Sequence, residues 1–515
     1  MANPYTAKQK VNIRMDSKVQ AYIDQYGVTD ETRIFLNSRH LMYINGEFVN
    51  SSDSATLTVI EPCTEGLIGE VPAATTEDIN TAVAAANHAF HKGEWSQWKP
   101  AQREQVLHRI ADLVEKNLQT LAEIESLDAG KAIEGCKAVD IIGSIDLLRY
   151  MAGWATKIDG ATRPVSVDGE HFVYTLKEPL GVVGAIVPWN WPFNMAIWKL
   201  AAPLAVGCTV VLKPAQQTPL SVLYLAKLCQ QAGLPKGALN IVTGKGSTVG
   251  NHLVQHPDID KVSFTGSTEV GKIVGKAAIE NLNHLTLELG GKSPMVVFED
   301  ADIGKVVDAT QQSIFFNTGQ VCSGGSRIYI HRSIYEPVLE AIARKANAMK
   351  IGATLDPSIA MGPAISASQK QTVVSYIQLG LDEGARLICG GKSVQGPGYF
   401  LEPTLLADCS NEMRVVQEEI FGPVLVAIPF DTNEEAIALA NDNIYGLAAS
   451  VFTQDISLAH RSVSQLKAGT VWVNTHDMID VNMPFGGVKQ SGFGKDLGPE
   501  QLEYFLETKS VWIAL

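Results

Sequence analysis

Residues 182–213 read VVGAIVPWNWPFNMAIWKLAAPLAVGCTVVLK, and their pattern decides the fold. Val182–Val187 and Thr209–Leu212 are unbroken apolar runs of strand length, and Phe193–Val206 between them is helix-like. A strand covered on both faces reads as a continuous apolar run, and a strand–helix–strand succession joins parallel strands. The pattern continues outward. Helix-like Leu220–Gln231, Ser247–Leu253 and Thr268–Ile279 alternate with strand-like Leu239–Val242, Lys261–Phe264 and Leu285–Leu289. A second series follows Pro294: strand Met295–Phe298, helix 303–316, strand Arg327–His331, helix 334–348, and strands near 424–429, 446–453 and 470–474. The chain is therefore expected to be α/β, with two open parallel-sheet units meeting near Gly290–Pro294.

Upstream, residues 75–157 carry helical spacing in Ile79, Val83, Ala86 and Phe90, and again in Leu107, Ile110, Val114 and Leu118. Thr76 with Asp78 and Ile79 supplies a helix start. His171–Lys177 and Lys509–Ala514 fit neither series and read as exposed strands. They are either edges that pair with another subunit or ordinary edges blunted by Lys177 and Lys509. Residues 1–39 are polar and mixed in charge; Met15–Tyr26 has amphipathic spacing, but a surface arm is the expectation.

The 515 residues are 46% hydrophobic and 19% charged, enough for large buried cores. That excludes a disordered chain, a collagen and a disulfide-stapled miniprotein. Forty-one Lys and Arg stand against 55 Asp and Glu, a net charge of −14, which argues against a phosphate-tracking nucleic-acid surface. No apolar run approaches the roughly 18 residues of a membrane span. The N-terminus shows no apolar leader core and contains Asp16 and Asp24. The seven cysteines are odd in number and form no CxxC pair, which fits free thiols in a reducing compartment. A cytoplasmic location is expected.

Among those thiols Cys322 stands out, in the Gly-rich turn FFNTGQVCSGGSR. A polar, partly exposed turn suits a thiolate nucleophile, while a small core residue is the competing reading. Glu288 ends the strand-like HLTLE before Gly290 and Gly291, placed either as a catalytic carboxylate or as a turn cap. Asn190 sits in VPWNWPF, where its amide can donate to an oxyanion or simply close the turn. FTGSTEVG opens a helix after a strand, so Gly266 and Ser267 can face a phosphate. No HExxH, Walker A, GxSxG or Cys/His metal spacing is present, and no metal is expected.

Seven segments then carry a resemblance: VPWNWPF, VVLKPAQQTP, FTGSTEVG, LELGGKSP, GQVCSGGS, EEIFGPV and MPFGGVKQSGFG. In this order they resemble the aldehyde dehydrogenase superfamily, from about residue 42 to the C-terminus. The stretch NTHDMIDVNMPFGGVKQSGFG further resembles its phenylacetaldehyde dehydrogenase branch. The resemblance implies two Rossmann-like units plus a small β oligomerisation element. It divides the chain into a cofactor domain (40–157 and 180–290), a catalytic domain (291–497) and the element (158–179 and 498–515), after an arm at 1–39. It implies Cys322 as nucleophile, Glu288 as general base and Asn190 as oxyanion donor. Trp189, Lys213, Gly266, Ser267, Glu419 and Phe421 would meet NAD. Gln216 stands where NAD-preferring members usually carry Glu; an amide does not repel a 2′-phosphate, so NADP can also be accepted. A distal carboxylate, often Glu, is here Asp496, whose shorter reach weakens it as a second base.

Trp191, Met195, Trp198, Phe316 and Phe485 would line the substrate tunnel, which suits an arylalkyl aldehyde; ordinary core packing is the alternative for each. Asp477 or Asp480, if facing the tunnel, would favour an amino or trimethylammonium aldehyde instead. A medium-chain aliphatic aldehyde is a further alternative. Transfer to CoA and an inactive binding homologue are both disfavoured, because Cys322, Glu288 and Asn190 are all present. A homo-oligomer, a dimer or dimer of dimers, is implied as well.

Overall fold

The computed structural model describes residues 15–515. Two large sheets organise it. The first has eight strands, in spatial order Gly492–Phe493, His284–Glu288, Lys261–Thr265, Val182–Ile186, Thr209–Lys213, Leu239–Ile241, Met42–Ile44 and Glu47–Val49. The five expected from the apolar runs are the parallel centre. Each outer strand pairs antiparallel with its neighbour. The second sheet has seven: Arg386–Cys389, Thr404–Ala407, Val424–Phe430, Arg327–His331, Pro294–Val297, Ala448–Phe452 and Thr470–Val473. Only Arg386–Cys389 runs antiparallel there.

Alternation explains the layering. Val183, Ala185, Val210 and Leu212 face one apolar cluster, while Val182, Ile186, Val211 and Val262 face another on the opposite side of the first sheet. In the second sheet Val296, Tyr329, Val426 and Val451 face one side, and Met295, Val297, Ile328 and Ala427 the other. Both sheets are therefore covered on both faces, which is why their strands read as continuous apolar runs.

Local chemistry shifts several expected boundaries. The helix Thr76–His91 is capped by Thr75, one residue earlier than read, in a reciprocal box with Asp78. Leu107, Ile110 and Val114 share the helix Pro100–Lys116, but Asn117 ends it and Leu118 starts the next. The helix expected at Ser247–Leu253 is a π-turn at Gly246–Gly250 running into Asn251–Gln255. The helix Ala367–Asp382 and the strands Arg386–Cys389 and Thr404–Ala407 carry too little apolar periodicity to have been assigned from sequence.

The surface-arm reading of the N-terminus is corrected for the described residues. Ser17–Tyr26 and Asp30–Leu36 are helices, and Val19, Ile23, Phe35 and Leu36 are buried in the core of the first unit. Residues 1–14 of that arm lie outside the described residues. The two exposed strands pair with each other: His171–Pro179 and Leu506–Ala514 run antiparallel over nine residues in register. Lys177 pairs with Glu503 and Lys509 with Glu178. Among the described residues no helix is long and apolar enough to cross a membrane.

The fold sets up one junction. Glu288 ends a strand of the first sheet, and six residues later Pro294 begins one of the second. The chain thus leaves the carboxyl edge of the first sheet and enters the amino edge of the second.

Candidate active site

A cavity of about 470 Å³ lies at that junction. Cys322, Glu288, Trp191, Met195, Trp198, Phe316 and Phe485 all line it, although they are spread over almost 300 residues of sequence. Trp191 stacks on Phe316 with ring centroids 5.9 Å apart, and Trp198 meets Phe485 edge-on at 5.7 Å. These four aromatic residues form part of the cavity wall.

Cys322 is the one half-buried cysteine; the other six are buried. It follows a strained turn. Asn317, Thr318 and Gly319 are all left-handed, at φ +46°, +58° and +67°. Gly319 is obligatory, because a Cβ there would sit 2.1 Å from the Gly422 carbonyl oxygen. A β-branched residue such as Thr318 rarely adopts this conformation, which costs roughly 1–2 kcal/mol. Side chains clamp the turn. Thr318 Oγ1 donates to the Gly362 carbonyl (2.9 Å), and Gln320 Oε1 accepts from Ile365 N–H (2.9 Å). Asn190 Nδ2 donates to the Gln320 carbonyl (2.9 Å), and Asn317 Nδ2 donates to the Asn190 carbonyl (3.2 Å). Asn190 is thus buried against the thiol loop, with one amide hydrogen committed to it and the other uncommitted among the described residues.

Burial pushes the Cys322 thiol up to about 12, and Asp477, Glu419 and Glu288 add to the shift. The Ser323 backbone N–H opposes it. These carboxyls are not all full charges. Burial raises Glu288 well above the usual carboxylate range, raises Asp477, and brings Glu419 to about 7. Both Glu288 oxygens lack a hydrogen-bond partner among the described residues. Gly486 makes room for them; a Cβ there would lie 2.4 Å from Glu288 Oε1. A buried carboxyl with no donors favours its neutral form and keeps its lone pairs for a visitor.

Beside it Lys199 Nζ meets Asp496 Oδ2 at 2.5 Å, and Gln501 donates to the other Asp496 oxygen at 3.0 Å. Asp496 is therefore fully engaged. Lys199 went unassigned from sequence, although it is the single charged residue in the helix Pro192–Val206 and so was a usable signal. Thr318, Gln320 and His476 were also missed, since their roles depend on contacts with distant backbone.

The residues assigned to a dinucleotide collect along the carboxyl edge of the first sheet, where open α/β sheets bind ligands. Lys213 ends its strand with a buried amine that donates to the Pro214 carbonyl (3.0 Å); burial lowers it to about 8. Gly266 N–H donates to the Glu288 carbonyl (3.1 Å), and Ser267 caps the 13-residue helix Thr268–Glu280. Gln216 is exposed in the turn after Lys213. Trp189 meets Phe421 edge-on at 5.1 Å. Glu419 accepts from Gly291 N–H at 3.2 Å. A run of strand-end backbone, a helix N-terminus, an amine and a carboxylate fits a phosphate-linked dinucleotide. No group of three or more metal-ligating side chains occurs among the described residues.

Comparisons with known proteins agree with this geometry. Residues 48–511 match the profile of the aldehyde dehydrogenase family. A phenylacetaldehyde dehydrogenase of Pseudomonas fluorescens is 45% identical over 481 residues, covering 92% of this chain and 96% of that one. An aldehyde dehydrogenase from Bacillus cereus, solved as its NAD+ complex, superposes with a TM-score of 0.92 at 45% identity, covering 98% and 100% of the two chains. A betaine aldehyde dehydrogenase of Staphylococcus aureus, also solved with NAD+, gives a TM-score of 0.91 at 40% identity, covering 94% and 97%. With the match spanning nearly the whole length and the thiol, carboxyl and dinucleotide edge in one place, the chain belongs to the aldehyde dehydrogenase family and is an oxidoreductase acting on aldehydes.

Proposed function

We propose that the chain oxidises an aromatic or arylalkyl aldehyde, such as phenylacetaldehyde, to its carboxylic acid with NAD. The observation that carries this reading is the half-buried thiol opening into a cavity walled by two aromatic pairs. Flat apolar walls bury an aryl ring, and stacked or edge-on rings hold it at a preferred angle.

As the thiolate, its proton released to solvent, Cys322 would attack the aldehyde carbon; an S–C bond forms as the C=O pair moves onto oxygen, leaving a tetrahedral alkoxide bound through sulfur. The Cys322 backbone N–H and the remaining Asn190 amide hydrogen would stabilise that oxygen as its charge grows. A bound nicotinamide coenzyme supplies the hydride acceptor. Lys213 and Gln216 would hold its adenosine ribose, Gly266 and Ser267 the pyrophosphate, and Trp189, Glu419 and Phe421 the nicotinamide end. With Glu288 ionised, water would add to the acyl carbon of the Cys322 thioester and give its proton to a Glu288 oxygen, and the C–S bond would break to release the acid and the Cys322 thiolate. Glu288 suits this step because neither of its oxygens is committed to protein.

A second reading has one observation in its favour. Asp477 lines the cavity with neither carboxylate oxygen hydrogen-bonded, and Asp146 lines it from another wall. Carboxylates beside aromatic faces suit an amino or trimethylammonium aldehyde. Asp480 does not line the cavity and instead accepts from Asn482. The division into cofactor domain, catalytic domain and ribbon element remains part of the proposal. So does assembly of the cytoplasmic enzyme as a dimer or dimer of dimers through the ribbon, which exposes Phe172, Leu176, Trp512 and Ile513.

NADH formation with phenylacetaldehyde, benzaldehyde, hexanal and betaine aldehyde separates the readings. The largest kcat/KM is expected for phenylacetaldehyde, and preference for betaine aldehyde would overturn the assignment. Cys322→Ala should abolish oxidation while leaving NAD binding near normal; retained turnover would remove the nucleophile role.

A further inference from the structure

The thiol loop has a brace on its far side. His476 is buried at 1% exposure, with Nε2 2.9 Å from the Ser323 carbonyl oxygen and Nδ1 2.9 Å from Ser450 Oγ. A carbonyl only accepts, so Nε2 carries the proton and donates it to Ser323. Nδ1 is then the acceptor for the Ser450 hydroxyl, which fixes the tautomer from the strand Ala448–Phe452. Trp472 packs on the ring at 4.8 Å. The loop lies close on this platform. A Cβ at Gly325 would sit 2.5 Å from the Met295 sulfur and 3.3 Å from His476 Cε1.

Ser323 directly follows Cys322 in the chain, and its backbone N–H lowers the Cys322 thiol. Three acidic side chains act on that sulfur in the opposite sense: Asp477, the residue after His476, then Glu419 and Glu288. Neither Cys322 nor Ser323 lies in a regular helix or strand, so hydrogen bonds and packing hold them in place.

We propose that His476 is a positioning residue for the reaction: by donating to the Ser323 carbonyl it fixes the loop and with it the place of the adjoining Cys322 sulfur. Ser450 acts one step further back, by keeping the ring in the donating tautomer. This rests on Cys322 being the nucleophile.

The test uses the whole enzyme and iodoacetamide, which reads Cys322 because the other six cysteines are buried. His476→Phe removes the donor. It should lower the alkylation rate and kcat together by about tenfold, the factor carried by one hydrogen bond of ordinary net strength, and leave KM for NAD unchanged. The pH midpoint of alkylation should move up, since the thiolate loses a donor. His476→Gln places an amide N–H near the Nε2 position and should restore alkylation to within about threefold of wild type. Ser450→Ala should fall between them. Equal loss in the Phe and Gln variants, or wild-type alkylation in the Phe variant, would overturn the proposal. If the Phe variant does not fold, the other two decide: Ser450→Ala alkylating at the wild-type rate, or His476→Gln slower than Ser450→Ala, overturns it. Should alkylated wild type retain turnover, the nucleophile assignment itself fails, a result distinct from these.

Discussion

Two buried Lys–Asp pairs in this molecule look alike and do different work. Lys199–Asp496 lies beside Glu288, and Lys131–Asp140 lies beside Glu125; both pairs close at 2.5 Å. In each, a second carboxyl is raised by burial and then by the neighbouring Asp. The difference is in that second carboxyl. Glu125 has no face on the cavity and accepts from Phe193 N–H at 3.3 Å. Among the described residues Glu288 accepts from no protein donor, and it opens onto the cavity. Lys131 meanwhile sits 3.5 Å over the Trp191 ring, so the Lys131 triad supports a substrate wall and the Lys199 triad a reacting group. A buried charge with protein partners is architecture, and one left without them beside a cavity is available for chemistry.

The largest effect should come from breaking the architectural pair. Lys131→Met leaves Asp140 buried without its cation, which typically costs about 3–5 kcal/mol. Thermal unfolding should move down accordingly, and KM for an aryl aldehyde should rise because Trp191 loses the cation above its ring. A variant with wild-type stability would show that the pair contributes little.

The chemical carboxyl should respond in the opposite way. Glu288→Gln keeps the shape but cannot take a proton, so turnover should fall about 100-fold, within the usual range for a general base. Stability should hardly change, since no protein donor is lost. A rapid burst of NADH followed by slow turnover is expected. Should the burst slow as much as the steady state, Glu288 acts on the thiol instead. Glu125→Gln is the control and should leave the burst and the steady state in their wild-type proportion.

A third buried group has no charged partner at all and sharpens the contrast. His40 is buried with neither ring nitrogen hydrogen-bonded, between Phe35 at 4.8 Å and the Gly69 backbone. Burial lowers it from 6.5 to about 4. Between those values the unfolded chain binds the proton and the folded one does not, so stability rises with pH through the window and is lost as pH falls. At about pH 5 the loss amounts to about 2 kcal/mol. His40→Leu should flatten the melting temperature between about pH 7 and pH 5. An unchanged slope would place the acid sensitivity elsewhere.

How much of this was legible depended on how far apart the interacting residues lie. The central strands were readable because burial on both faces leaves an apolar run in a few consecutive residues. Cys322, Glu288 and the five tunnel residues were reached through local motifs, and the fold gathers them into one cavity. Asn190 kept its place in the turn, but its amide points at a carbonyl of the thiol loop, which no local pattern announces. Lys199, Thr318 and His476 act through partners 297, 44 and 153 residues away. The short edge strands and the two N-terminal helices were lost for the same reason, since their burial is decided by what lies across from them.

The smallest expected effect lies outside the buried groups, at the exposed Gln216. It follows the buried Lys213 by three residues at the edge proposed to hold the adenosine ribose. An amide can hydrogen-bond a ribose hydroxyl but has no charge to oppose a 2′-phosphate, and the Lys213 amine would attract one. NADP should therefore be used measurably beside NAD. Gln216→Glu introduces a like charge against that phosphate. At an effective dielectric of about 20 or more the clash is worth on the order of 1 kcal/mol after solvent screening. The NAD to NADP ratio of kcat/KM should rise several-fold, mainly by weakening NADP. Screening also predicts that the gain shrinks as salt is added, which separates a charge effect from a change in loop shape. Equal ratios for wild type and variant at one ionic strength would mean that this side chain does not read the ribose. A rise that persists undiminished at high salt would point to altered packing of the turn after Lys213 rather than to charge.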